Sequence, residues 1–173
     1  RMTVEGRATL SARREGALTL RDRSPLAFKG FCDLESYLRC VGKVSLMLER
    51  TAILGVAAGG GLVRMGGVGE VPELINEGSI RIWTSPESVP FIFLRNRGTV
   101  TAFASTIIFQ TGTALDDPDL VQERDGHLEL GSGIGARATL NGKAWFHDGS
   151  TVVGDAYIRE ARIEGLVQGR LSF

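Results

Sequence analysis

From Ala161 to Phe173 apolar and polar side chains alternate, and no other stretch of the chain constrains its fold as strongly. Ala161, Ile163, Val167, Leu171 and Phe173 fall on one side, and Arg162, Glu164, Gln168, Arg170 and Ser172 on the other. A period of two is that of a pleated strand with one wet face, whereas a helix would scatter both sets around its axis. The run reads as one strand of an antiparallel sheet, because such sheets bury one face and wet the other. At roughly 3.4 Å per residue it would extend about 44 Å, beyond a usual strand. Gly165 and Gly169, on the apolar side, therefore predict bends. Long strands bent at glycines suit a closed or strongly curved sheet.

Other segments carry the same signature. Met2, Val4, Ala8 and Leu10 alternate with polar residues, and Ala17 to Leu20 follows a charged turn at Arg13 to Gly16, which predicts a hairpin. Val44 to Leu54 reads as a buried strand, Ile80 to Trp83 and Phe91 to Leu94 as two more, and Thr99 to Phe109 as a central strand rich in β-branched and aromatic residues. Arg95 to Gly98 and Asn141-Gly142 are hairpin signals, the second setting Ala138 across from Trp145, small against large, as a curved interior requires. Asp148-Gly149 supplies a turn before Thr151 to Arg159. Only one helix is expected, over Asp33 to Val41, where Leu34, Tyr37, Leu38 and Val41 recur at helical spacing between an Asp33 cap and a Gly42 stop. Pro72 to Asn76 fits one helical turn. The fold expectation is all-β and mainly antiparallel: a closed β-barrel with one short helix, in a single domain over residues 1–173.

The formal charge is zero and the pI near 6.9, so no long-range field draws the chain to nucleic acid or anionic lipid. No apolar stretch approaches about 18 residues and no leader pattern is visible, so a cytoplasmic protein without a membrane partner is expected. Cys32 and Cys40 stand without a C-x-x-C or a nearby histidine, which argues against metal and for two reduced, buried thiols. Seven glycines crowd Gly55 to Gly69. They match neither a phosphate loop, which needs a lysine after its last glycine, nor a dinucleotide fingerprint, which needs a helix there. A glycine-bent strand is the expectation. The acidic run from Asp116 to Asp125 lacks the spacing of a calcium loop and reads as a solvated turn. No cofactor or metal is expected.

Catalytic residues are scarce. His127 and His147 are the only imidazoles, no G-x-S-x-G is present, and His147 beside Asp148 reads as a hairpin-end residue. Glu160, Arg162, Glu164 and Arg170 form a charge stripe of the kind any solvated sheet face carries. The aromatic residues lie on strand segments, and Trp83, Phe103, Trp145 and Tyr157 are the candidate binding residues, lining an apolar pocket in the barrel interior. The partner expected is a hydrophobic small molecule. The only enzyme reading so poor an inventory allows is a cofactor-independent cyclisation or rearrangement, a cyclase or isomerase working by substrate positioning. At fold level this resembles the lipocalin-type and allene-oxide-cyclase-type barrels, without a shared motif. An outer-membrane barrel is disfavoured by low aromatic content.

The alternative is a non-enzymatic structural protein, a glycine-rich β-solenoid or oligomeric sandwich whose surfaces pair with copies of itself in a homo-oligomer. Gly16 to Lys29, Gly42 to Leu54, Gly78 to Leu94 and Gly98 to Gln110 each begin at glycine and have comparable lengths, but their side-chain patterns do not superimpose.

Overall fold

Runs of three to five residues that alternate in and out, each closed by a corner, give strands too short to stand alone. They become stable only by stacking on copies above and below. In the computed structural model, which describes residues 2–10, 18–21, 25–65, 71–83, 88–103, 106–109, 118–131, 138–154, 156–164 and 168–169, they stack as a parallel β-solenoid. The chain runs through β1 (Met2–Val4), β2 (Arg7–Leu10) and β3 (Leu18–Arg21), and then through β4 (Leu26–Phe28), β5 (Phe31–Leu34) and β6 (Tyr37–Val41). It continues with β7 (Ser45–Leu48), β8 (Ile53–Val56) and β9 (Gly61–Met65), and with β10 (Glu73–Asn76), β11 (Ser79–Ile82) and β12 (Ser88–Phe91). β13 (Phe93–Asn96), β14 (Thr99–Ala102) and β15 (Thr106–Phe109) precede β16 (Leu120–Gln122) and β17 (His127–Leu130). β18 (Ala138–Phe146), β19 (Thr151–Gly154), β20 (Ala156–Ile163) and β21 (Gln168–Gly169) complete the described strands.

Each strand pairs with the strand one coil away, and among the described residues every pairing is parallel. The first sheet stacks β1, β4, β7, β10, β13 and β16, the second stacks β2, β5, β8, β11, β14, β17, β19 and β21, and the third begins with β3, β6 and β9. β12 lies beside β9 and pairs with β15, which carries the third face onward. β18 turns a corner between faces: Thr139 and Leu140 pair with β15, whereas Ala144 to Phe146 pair with β16. Its ladder to β20 shifts register between Leu140 and Lys143, at that corner.

Inward positions form columns. Leu26, Leu46, Leu74, Leu94, Leu120 and Ala144 occupy one on the first sheet, and Cys32, Leu54, Ile80, Val100, Leu128 and Val152 one on the second; all are buried. Leu38, Leu62, Phe91, Ile107 and Leu140 close the core from the third face. Each fully buried Leu, Ile or Phe contributes about 1.5–3 kcal/mol of transfer free energy, so consecutive coils hold one another by apolar contact as well as by ladder hydrogen bonds. The glycine at the corner before β14 is required by close approach, since a Cβ on Gly98 would overlap the Gly78 carbonyl oxygen one coil away.

The parallel ladders overturn the antiparallel closed barrel. A period of two fixes which face is wet and is silent on strand direction. In a solenoid the chain returns through the other sheets, so a parallel sheet keeps a wet outer face without covering helices. The helix expected from Asp33 to Val41 is β5 and β6 joined at Glu35-Ser36. Leu34 and Leu38 point into the core from two different faces, which mimics helical spacing. The helical turn expected at Pro72 to Asn76 is β10, and Arg95 to Gly98 is a corner between parallel strands. Asn141-Gly142 makes no hairpin but sits at the β18 corner. Val44 to Leu54 is two strands, β7 and part of β8. The thirteen-residue strand from Ala161 is divided between β20 and β21, with Gly165 to Val167 and Arg170 to Phe173 outside the described residues, as is the turn at Arg13 to Gly16. The two thiols are reduced and buried as expected, on different faces.

Candidate functional site

A barrel interior of the expected kind would be a lined cavity, but the space between the three sheets is filled by side chains. Phe28, Phe91, Phe146 and the leucine columns are fully buried and pack into one cluster. This removes the physical basis for a ligand held in a lumen, and with it the cyclase and isomerase readings.

Three buried carboxamides line up in one column of that interior. Asn76, Asn96 and Gln122 are the last inward residues of β10, β13 and β16, and none is exposed to solvent. Asn76 Nδ2 donates to Asn96 Oδ1 at 2.6 Å, and Asn96 Nδ2 donates to Gln122 Oε1 at 3.0 Å. The same amides also tie down the adjoining corners, as Gly78 N donates to Asn76 Oδ1 at 3.0 Å and the Thr99 and His127 carbonyls accept from Asn76 and Asn96 at 3.1 and 3.2 Å. A carboxamide has a donor and an acceptor on opposite sides, so it repeats at the strand spacing of about 4.8 Å without leaving either unpaired. The ladder stops at Gln122 Nε2, which has no protein partner, and Ser150 Oγ is likewise buried without one.

The outer surface is charged and paired. On the first sheet Arg95 lies between Glu73 (Nε–Oε1 3.1 Å) and Glu123 (Nη1–Oε1 2.8 Å) and covers the Phe93 ring at 5.8 Å. The hydrogen bond to Glu123 above all raises the Arg95 pKa; partial burial pulls the other way and is outweighed. Arg162 covers Trp145 at 5.1 Å and meets Glu164 at 3.1 Å, and Glu164 also reaches His147 Nδ1 at 3.1 Å. The partner of His147 in the fold is Glu164, seventeen positions away and invisible to any local motif. No cluster of three metal-ligating side chains occurs among the described residues. Burial raises the thiol pKa of Cys32 to about 11, with Asp33 adding to the effect, and that of Cys40 to about 12, so neither is a nucleophile near neutral pH.

Of the four candidate binding residues, the fold sets Trp83 and Phe103 on adjacent coils and Trp145 on a different sheet. Trp83, 48% exposed, follows β11, and Phe103, half-buried, follows β14, one coil apart at the same edge of the second sheet. Trp145 faces outward from the first sheet, over a groove of about 340 Å³ formed with Val71, Phe93, Pro118 and Val121. Tyr157 pairs through its backbone with Thr139, and its side chain lies outside the described residues.

Two core-facing side chains break the rule that inward means buried. Ile163 continues the column of Asn96, Gln122 and Phe146, yet it is 47% exposed; Leu18, in register with the buried Leu38, is 39% exposed. They lie in the coils at opposite ends of the described stack, where each column has a neighbour on one side only.

These features define a parallel β-solenoid with a closed, side-chain-filled interior. No family model, no curated protein and no solved structure matches the chain. Among the described residues no helix is long and apolar enough to cross a membrane.

Proposed function

We propose that this chain is a non-catalytic structural solenoid that acts by associating with copies of itself. The observation that carries the reading is Ile163: a core-facing side chain left 47% exposed in a column whose other members from Phe28 to Phe146 are fully buried. A half-covered core position is stabilised by one more coil, and a second copy of this chain supplies one of matching cross-section. The filled interior supports the structural side of the reading, since it leaves no lumen for a reactant.

The test is particle mass against concentration, by sedimentation and light scattering from micromolar to millimolar protein, with circular dichroism confirming β structure throughout. Mass per particle rises with concentration if the reading holds. A mass fixed at one chain across the range overturns it.

A further inference from the structure

The corner residue that follows the last inward residue of each first-sheet strand is ionisable in coil after coil. Its N–H binds the preceding coil: Glu49 N donates to Phe28 O at 3.0 Å, Glu77 N to Leu48 O at 2.9 Å, Arg97 N to Asn76 O at 2.8 Å, and Glu164 N to Phe146 O at 2.8 Å. The column therefore has a direction, each coil donating to the one before it. At one end stands Glu5, in the coil of β1, and at the other Glu164, in the coil of β20 and β21.

Charges in and beside this column pair from coil to coil. In its middle two adjacent glutamates are flanked by cations, Lys29 meeting Glu49 at 3.5 Å and Arg97 meeting Glu77 at 3.6 Å. At the ends, Lys29 meets Glu5 at 3.9 Å, while Glu164 is met by Arg162 at 3.1 Å. Setting Glu5 of one copy on Glu164 of another places two glutamates side by side between Lys29 and Arg162, as Glu49 and Glu77 stand between Lys29 and Arg97, with Arg162 reaching in from the neighbouring column.

A second correspondence points the same way. Arg95 sits one residue before the inward Asn96 and pairs at 2.8 Å with Glu123, the corner residue of the following coil. Arg162 sits one residue before the inward Ile163, in the column that also holds Arg95, Val121 and Trp145. Its counterpart of Glu123 in a following coil would be Glu5 of the next copy. Both Arg162 and Glu5 are mostly exposed, with side-chain relative areas of 62% and 69%.

We infer that copies of this chain join head to tail, the coil of β1 stacking on the coil of β20 and β21 of a second copy, with Glu5 of one copy paired to Arg162 of the other and Ile163 covered at the joint. The inference deepens the self-association reading and rests on it. Such a contact is heterologous, so it propagates into a linear assembly instead of closing as a dimer.

The experiment uses charge reversal in the intact chain. Arg162→Glu and Glu5→Arg each place like charges across every joint, and each variant alone is expected to associate about tenfold or more weakly than wild type. Mixing the two variants in equal amounts recreates opposite charges at every joint when copies alternate, so association returns toward the wild-type level. Circular dichroism and the thermal midpoint of each variant establish that both remain folded. Ile163→Asp, at a position already half exposed, is a second disruption that the mixture cannot repair. If wild type associates but both reversals leave association unchanged, or if the mixture stays as weak as its components, the head-to-tail joint is refuted while self-association stands. If wild type remains a single chain at every concentration, the joint and the self-association reading fall together.

Discussion

Replacing Asn96 by alanine strikes the middle of the amide ladder, and the cost follows from its three side-chain hydrogen bonds. Asn76 Nδ2 loses its 2.6 Å acceptor but keeps the Thr99 carbonyl, so that loss is about 1 kcal/mol. Gln122 Oε1 loses its donor, as does the bond to the His127 carbonyl, and a buried polar group left unpaired costs about 1–3 kcal/mol. The sum is roughly 3–7 kcal/mol, before any cavity contribution. For a chain of this size about 2–4 °C of midpoint accompanies each kcal/mol, so a drop of roughly 6–28 °C is expected. Thermal and urea unfolding followed by circular dichroism and by tryptophan fluorescence provide the assay, the two probes checking whether the stack melts as one unit. Asn96→Asp sharpens the test. A carboxylate still accepts from Asn76 but donates to neither Gln122 nor His127, and burial raises its pKa, so the variant is closest to wild type at acid pH and loses stability as pH rises. A loss below about 1 kcal/mol in Asn96→Ala, or a pH-independent Asn96→Asp, would mean that the amides are not paired in the interior.

Removing the orphaned hydroxyl in Ser150→Ala is expected to be neutral or stabilising by up to about 1 kcal/mol, read as the urea midpoint; a clear loss would show that Ser150 Oγ has a partner. Arg95→Ala leaves Glu73 and Glu123 facing without their shared cation and uncovers Phe93. A loss of about 1–2 kcal/mol that shrinks at high salt is expected, whereas a salt-independent loss would assign the effect to packing. Cys32 and Cys40 should resist a thiol reagent at neutral pH until the protein is unfolded. Their folded pKa values of about 11 and about 12 lie above the ordinary 9.0, so their contribution to stability is intact below pH 9 and is lost as pH climbs toward those values; rapid labelling of native protein would contradict the burial.

The in-and-out pattern of single strands was legible in the sequence, and the way they stack was not. Alternation at Leu46-Met47-Leu48 or Phe93-Leu94-Arg95 marks an inward face in any sheet. Stacking, in contrast, depends on a repeat that coil length conceals. Leu26, Leu46, Leu74, Leu94 and Leu120 share a column, but their separations of 20, 28, 20 and 26 residues defeat a fixed-period comparison. One signal was available: Leu74 to Ile80 and Leu94 to Val100 share a leucine, an asparagine two residues on, a glycine two further and then a hydroxyl residue before a β-branched one. That pattern contains the ladder amides and their corner glycines. Gly78 and Gly98, which open two of the segments of similar length, are these corner glycines. The groove residues could not be grouped, because Val71, Phe93, Val121 and Trp145 come from separate coils and meet only through the parallel register.

Register is also what connects the ladder to assembly. Where both inward positions of a first-sheet strand are leucine, as in Leu46 and Leu48, sliding a neighbour by two residues still sets apolar on apolar, so hydrophobic burial alone holds the coil weakly in place. In β10, β13 and β16 the second inward position is an amide, and the same slip would press Asn or Gln against leucine and break every bond in the ladder. The amides thus fix the register of the central coils. At the ends of the described stack that device is missing, since the column closes in Phe146 and Ile163 at one side and passes from Phe28 to the Val4 position at the other. A joint formed there has apolar contact to hold it but no amide to align it. Selection of register falls to the corner charges, where a slip of two residues would carry Glu5 away from Arg162. For that reason the charge-reversal variants are expected to change association far more than they change the stability of the single chain, and equal effects on both would contradict this division of roles.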